Sequence, residues 1–352
     1  MPIHKLGQSL KLEEGGELNS VEIEYTISGV PKQNGSNVII VCHTLTGSLE
    51  IVNSPLWSFV GKGLTIDTEK YCIICLGTLG GLNRSTGPRT TNKEGKEYGP
   101  EFPTVTVKDS IRAHAIVLKS LGINKARAVV GGSYGGFCAY TWLALEPNFF
   151  ELAVVFQSSL WCSAHTIAFF SLCRDLIISS ESWQEGRYER ETMNKTQSYK
   201  QMIAVNKLIQ ISDYKFEEKF PRTNNNRIRG ERPSYWQKHS IIDEFIIESS
   251  KDIIDPNTLL STMRTSSLFN LEKSFPKVWE SWREMKTTIV QIPCIQDWRY
   301  PAERMLGIHK KLKSIGAKSI YEPTNSNYGH GSYLYDPKSI EKICLKLNNL
   351  LQ

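Results

Sequence analysis

No uninterrupted apolar stretch in the 352 residues approaches the roughly 18–20 needed to cross a bilayer as a helix. A membrane-spanning chain is therefore not expected. The opening, MPIHKLGQSLKLEEGG, carries acids and has no apolar centre, which excludes a secretory signal. Paired cysteine motifs are also missing. The eight cysteines are scattered, and only Cys72 and Cys75 stand at CxxC spacing. Their context, YCIICL, reads as a buried strand with no second pair, so no metal or redox centre is expected. Reduced thiols suit a soluble, cytoplasmic protein. Charge of one sign is scarce too: the net charge of +6 is spread thinly along the chain. That gives no argument for nucleic acid but would suit an anionic substrate or cofactor. The basic, Asn-rich stretch RTNNNRIRGER, with Arg222, Arg227, Arg229 and Arg232 near Tyr235 and Trp236, reads as an exposed, solvated loop.

What is present is a core. Hydrophobic residues make up 40% of the chain, and they fall into a repeating order. SNVIIVCHTL (36–45), KYCIICLGTLGG (70–81), ARAVVGG (126–132) and FELAVVFQSS (150–159) read as strands. VTVKDSIRAHAIVLKSLG (105–122) and YGGFCAYTWLALEP read as helices, the second stopped by Pro147. Strand signal returns at TTIVQIPCIQDW (287–298) and KSIYEP (318–323). Alternation of this kind implies a mostly parallel sheet flanked by helices. From about Leu160 to Glu284 the strand signal is weak and helical stretches dominate. The expected organisation is an α/β core made of residues 1–160 and 285–352, with a helical insertion at 161–284.

Ser133 stands in Gly131-Gly132-Ser133-Tyr134-Gly135, a G-x-S-x-G pattern between a strand and a helix. Small neighbours let the chain turn sharply and project one hydroxyl. The helix that follows offers N–H groups to a developing oxyanion. An ordinary Gly-rich turn, or a phosphate cradle, is the plain alternative. A serine nucleophile needs a base, and in this class of sheet the chain order is Ser, acid, His. Asp297 opens a polar loop after the strand IVQIPCIQ, and His330 lies in the Gly-flanked loop NSNYGHGSYL. His4 and His239 lack a strand-end context, His114 and His309 fall inside helical patterns, and His165 opens a helical segment beyond the core. The loop VCHTLTGS (41–48) is the candidate for the second half of an oxyanion site. His43 would brace it, and the N–H of Leu45 or Thr44 would pair with that of Tyr134.

These stretches, together with GGLNRSTGP (80–88), FPTVTVKDSIRAHAIVLKSLGI (102–123), SAHTIAF, WQEGRY and QDWRYP, occur in one order over nearly the whole chain. In this the chain resembles the homoserine O-acetyltransferase family of the α/β-hydrolase fold. The resemblance implies a Ser133–Asp297–His330 triad and a helical lid. It implies a ping-pong route from an acyl-CoA, acetyl-CoA by default, through an acyl-serine to a hydroxyl acceptor. It also implies a homodimer paired through the lid helices, and no bound cofactor. Three positions depart from the family pattern. Gly331 stands where the family has an Asp that holds the homoserine amino group. Lys207, seven residues before Tyr214, stands where the family has an Arg for the homoserine carboxylate, and Lys lacks the bidentate fork. Arg84 replaces a Gly and is a candidate to hold an anionic group of a substrate, against a reading as an outward-facing surface Arg. Asp213 is the available substitute counter-charge. An acceptor other than plain homoserine is therefore expected. A serine esterase using the same triad is the alternative, and a binding protein on an inactive hydrolase fold is a further one.

Overall fold

The computed structural model describes residues 1–220, 245–246 and 254–351. The basic stretch at 222–232, Tyr235, Trp236 and His239 lie outside the described residues.

Eight strands form the central sheet: β1 (Ile3–Lys5), β2 (Glu22–Ser28), β3 (Val38–Cys42), β4 (Cys72–Leu76), β5 (Ala126–Gly132), β6 (Phe150–Phe156), β7 (Thr288–Ile292) and β8 (Ser319–Tyr321). Their order is β1-β2-β4-β3-β5-β6-β7-β8. The pairs β1/β2 and β2/β4 are antiparallel, and every other pair is parallel. The expected mostly parallel sheet is therefore present, with its six parallel strands inside the six stretches read from periodicity.

The central strands are apolar throughout because both faces are covered. Alternation decides which face each residue serves. Val38, Ile40, Cys42, Ile74, Val129, Ala153 and Val155 belong to one core. Ile39, Val41, Ile73, Val130, Val154 and Phe156 belong to the other. The first core is roofed by α1 (Val107–Ser120), α2 (Tyr134–Leu145) and Met305, Ile308 and Leu312 of α7 (Ala302–Ser314). The second is closed by Trp57, Phe59 and the apolar face of α8 (Pro337–Leu351), which contributes Ile343, Leu347 and Leu351.

Helix α1 starts at a capping box: the Thr106 hydroxyl accepts from the Asp109 N–H, and the Asp109 carboxylate accepts from the Thr106 N–H at 2.9 Å. Helix α2 is buried on nearly every side, as its unbroken apolar sequence requires, and lies beneath the catalytic end of the sheet.

Within the insertion, α3 (Ala164–Ile178) packs against α4 (Gln197–Leu208) and α6 (Pro256–Ser267), and α5 (Asp213–Lys219) follows α4. Each starts on a side-chain cap: Ser163 for α3, Thr196 for α4, Ser212 for α5 and Asp255 for α6. No strand of the sheet falls between β6 and β7 among the described residues. No helix among them is long and apolar enough to cross a membrane.

Candidate active site

Strands β3 and β5 are neighbours, while β4 lies beyond β3 on the other side. The chain thus reverses its direction of travel across the sheet between β4 and β5. Loops at the carboxyl ends of strands on either side of such a reversal part to leave a crevice. The loop after β3 and the turn after β5 meet there.

Ser133 occupies the apex of the β5–α2 turn at φ 55°, ψ −120°. A non-glycine residue in that region costs on the order of 1–3 kcal/mol, so the surroundings must impose it. They do: the Ser133 N–H donates to the Phe156 carbonyl at 3.0 Å, and the Ser158 hydroxyl donates to the Ser133 carbonyl at 2.8 Å. The glycines are required by closeness. A Cβ on Gly135 would sit 2.3 Å from the Cys42 carbonyl oxygen, and one on Gly131 would sit 2.2 Å from that of Gly135. Both obstacles are backbone and cannot swing aside.

His330 and Asp297 converge on this serine from loops far along the chain. His330 Nε2 lies 2.8 Å from Ser133 Oγ, and His330 Nδ1 lies 2.8 Å from Asp297 Oδ2. An ionised carboxylate selects the tautomer with the proton on Nδ1, which leaves the Nε2 lone pair facing the hydroxyl. The second carboxylate oxygen, Oδ1, accepts the N–H groups of Arg299 and Tyr300, each at 2.9 Å. Asp297 is therefore fixed by its own loop. Ser133 and His330 are each 6% exposed and Asp297 1%, so the chain of bonds is shielded from water yet reachable at its serine end.

The Leu45 N–H and the Tyr134 N–H have no backbone acceptor among the described residues. Tyr134 is the first residue of α2, where N–H groups have no intrahelical partner. Leu45 lies in the turn closed by the Gly47 N–H donating to the Thr44 carbonyl at 3.0 Å. His43 Nδ1–H donates to the Thr44 carbonyl at 2.7 Å, and burial holds this imidazole below its ordinary pKa.

One residue central to this arrangement was not singled out from sequence. Gln157 follows the last residue of β6 at φ 41° and is 1% exposed. Its amide nitrogen donates to the Gly329 carbonyl at 2.9 Å and the Ser332 hydroxyl at 3.2 Å. Its oxygen accepts the Gly331 N–H at 2.8 Å. The amide therefore grips the chain on both sides of His330. The available signal was a polar residue ending an apolar strand at the sheet's carboxyl edge.

The insertion docks on the loops that carry Asp297 and His330. The Trp298 indole N–H donates to the Ile211 carbonyl at 2.9 Å, and the Ser212 N–H donates to the Tyr328 carbonyl at 3.3 Å. The Trp298 ring also packs on His165 and Phe169 of α3.

The remaining candidates are dispersed. Gly331 adopts φ 88°, and a Cβ there would face the Tyr335 ring at 3.2 Å. Lys207 is half-buried at the end of α4, Tyr214 is 59% exposed on α5, and Asp213 is exposed beside it. Arg84 is engaged by Glu24: its Nε donates to the carboxylate at 2.6 Å, its backbone N–H does so at 2.7 Å, and its Nη2 reaches the Met1 carbonyl at 2.7 Å. With Thr46, Arg89 and Asp255, Arg84 lines an open cavity of about 560 Å³ next to the Leu45 turn. No cluster of three or more His, Cys, Asp or Glu side chains among the described residues could hold a metal.

Against known proteins, residues 37–239 match the family model described as alpha/beta hydrolase fold. Homoserine O-acetyltransferase of Methanosalsum zhilinae is 30% identical over 359 residues, covering 97% of this chain and 71% of the relative. Homoserine O-succinyltransferase of Halothiobacillus neapolitanus is 30% identical over 349 residues, covering 94% of this chain and 85% of the relative. The crystal structure of esterase E22 superposes with a TM-score of 0.88 at 23% identity, covering 100% of this chain and 99% of that one, a likeness of fold. The chain belongs to the α/β-hydrolase fold family and, within it, to the homoserine O-acetyltransferase family of acyltransferase enzymes.

Proposed function

We propose that this enzyme transfers an acyl group from an acyl-CoA, acetyl-CoA by default, through an acyl-Ser133 intermediate to the hydroxyl of an amino-acid-like acceptor other than plain homoserine. The observation that carries the reading is the hydrogen-bonded line Asp297–His330–Ser133, with both links at 2.8 Å, at the carboxyl end of the sheet. His330 Nε2 takes the proton of Ser133 Oγ as that oxygen attacks the thioester carbon. The tetrahedral oxyanion is held by the N–H groups of Leu45 and Tyr134, reinforced by the positive end of α2. Collapse expels the CoA thiolate, which takes the proton back from His330. The acceptor hydroxyl then gives its proton to Nε2 and attacks the acyl carbon. Collapse of the second intermediate frees Ser133, which is reprotonated by His330. Asp297 stabilises the imidazolium that forms in both halves.

Residues 161–284 act as the lid in this account, because their descent onto Trp298 and Tyr328 covers the acid and base loops. The outer faces of α3 and α4 expose Leu172, Ile178 and Leu208, which suits pairing of two copies through the lid. The cavity lined by Arg84 and Arg89 suits the phosphates of the donor.

The acceptor clause rests on two positions. Gly331 offers no carboxylate for an α-ammonium, and Lys207 offers a point charge rather than a fork. The same two features favour a second reading, in which water is the acceptor and the enzyme is an esterase.

Incubation of the pure protein with acetyl-CoA, with and without hydroxy amino acids, separates these readings by release of free CoA. Release that depends on an acceptor, with homoserine a poor one, is the expected result. Equal release of acetate without any acceptor would establish the hydrolase reading, and full activity with homoserine would overturn the acceptor clause.

A further inference from the structure

Arg299 is two residues beyond Asp297 and only 6% exposed. A guanidinium keeps its charge in any protein environment, yet no described carboxylate lies within ion-pairing distance of this one, and its Nε–H is buried without a hydrogen-bond partner. Its planar faces are occupied: the guanidinium carbon lies 5.3 Å from the Phe170 ring centre on α3 and 5.6 Å from that of Tyr300. Stacking of this kind holds the plane and fixes where the unpartnered Nε–H points.

A second guanidinium follows in the same stretch of chain. Arg304, in the first turn of α7, is half-buried and has a buried, unpartnered Nη1. Both cations act on the Cys162 thiol, pulling against the burial that pushes it up to about 12. A buried guanidinium with no carboxylate paired to it has lost hydration, which is costly unless an anion arrives.

Their position relates this unmet charge to the chemistry. The Arg299 N–H is bonded to Asp297, and the Tyr300 ring on which its guanidinium stacks lies 5.3 Å from the His330 ring. The cation therefore sits between the acid loop and lid helix α3, one side chain away from the general base. Lys207 and Arg84 do not duplicate this: the first is a half-buried ammonium at the end of α4, and the second is already bound to Glu24.

We propose that Arg299, backed by Arg304, forms a carboxylate-binding subsite that selects substrates carrying a carboxylate on the acyl chain or on the acceptor. The inference rests on the acyl-serine reading above. Two arms distinguish the sources. In the first, hydrolysis of 4-nitrophenyl hemisuccinate is compared with that of 4-nitrophenyl acetate. In the second, L-homoserine is compared with 3-aminopropan-1-ol, the same molecule without its carboxylate, as acceptor from acetyl-CoA.

In Arg299→Leu the ratio of kcat/KM for the carboxylate-bearing partner to that for its neutral counterpart should fall by about tenfold to hundredfold in one arm, the loss expected for a hydrogen bond to a charged group. Arg299→Lys should recover part of that ratio, and Arg304→Leu should lower it less. Ratios unchanged in both arms would overturn the proposal, whether all rates fall together, as for a packing residue, or none do, as for a charge met within the protein. If the wild-type protein turns over neither 4-nitrophenyl ester, the acyl-serine reading fails instead. The subsite then stands or falls on whether succinate raises the melting temperature of wild type but not of Arg299→Leu.

Discussion

Replacing Gln157 by Met tests whether the grip on the His330 loop matters to catalysis. The substitution keeps length and approximate volume but removes every polar atom of the amide. It strands the Gly331 N–H, which now gives a bond at 2.8 Å, and takes from the Gly329 carbonyl the shorter of its two bonds, at 2.9 Å, leaving the one from the Ser332 N–H at 3.3 Å. A buried polar group left unsatisfied costs about 1–3 kcal/mol, so the native loop position is penalised by about that much. The loop meets part of this by moving, because Gly329 and Gly331 on either side of His330 both sit at positive φ and carry no side chain to hold them. A shift of about 1 Å at Nε2 is enough to lower the rate about a hundredfold. Initial rates on 4-nitrophenyl acetate, read against thermal melting, should show kcat reduced about ten- to a hundredfold with KM little changed. Gln157→Glu adds a second readout. It keeps the acceptor for the Gly331 N–H but places a carboxylate against the Gly329 carbonyl and near the imidazole. With the Gly331 N–H still satisfied, kcat should recover in part relative to Gln157→Met. Normal kcat in Gln157→Met, together with a lowered melting temperature, would reduce Gln157 to a structural brace and refute the argument.

Three other outcomes follow from the geometry. Gly135→Ala drives a methyl to 2.3 Å from the Cys42 carbonyl oxygen, so the turn must open; activity should be lost and the melting temperature lowered, whereas Gly122→Ala, with no atom within 4 Å of the added carbon, should cost only the strain of its positive φ. His114 donates from Nε2 to the Gly77 carbonyl at 2.9 Å, and burial lowers its pKa from 6.5 to about 4. Between those values the unfolded chain binds the proton and the native one does not, so stability is present above pH 6.5 and falls as pH drops towards 4, by up to about 3 kcal/mol; denaturant unfolding of His114→Gln should show a flatter pH dependence in that window. Thr106→Ala removes the cap of α1 and should destabilise the protein by about 1 kcal/mol, measured by the same unfolding assay.

Much of this molecule was legible in its residue order, for reasons that differ by element. Strands β3 to β6 are buried on both faces, so the sequence shows them as short apolar runs bounded by glycine and polar residues. β7 was legible for the same reason, and the shorter β8 from its place after a helix. Strands β1 and β2 were not assigned. β1 is a three-residue edge strand, and β2 pairs antiparallel with one face half-exposed, so EIEYTIS carries charge where a core strand would not. Ser133, Asp297 and His330 were singled out because chain order and strand-end position restrict the choice, and the structure brings the three side chains together. The contacts of Gln157 and Arg299 depend on which loops the fold brings together, and no local pattern announces that. Gln157 reaches residues 172 and 174 positions away, and Arg299 meets Phe170 only because α3 folds back over the acid loop. Arg84 was read as either a substrate-facing or an outward-facing residue, and its bond to Glu24 joins stretches 60 residues apart that no local pattern connects.

The central claim is that Ser133 carries the acyl group between donor and acceptor. Rapid acid quench of the enzyme with acetyl-CoA in the absence of acceptor, followed by intact-mass measurement and peptide mapping, tests it directly. The account predicts one added acetyl group on the peptide containing Ser133, lost on adding an acceptor and absent from Ser133→Ala. An acetyl group on another residue, or turnover that persists in Ser133→Ala with no adduct, would contradict it.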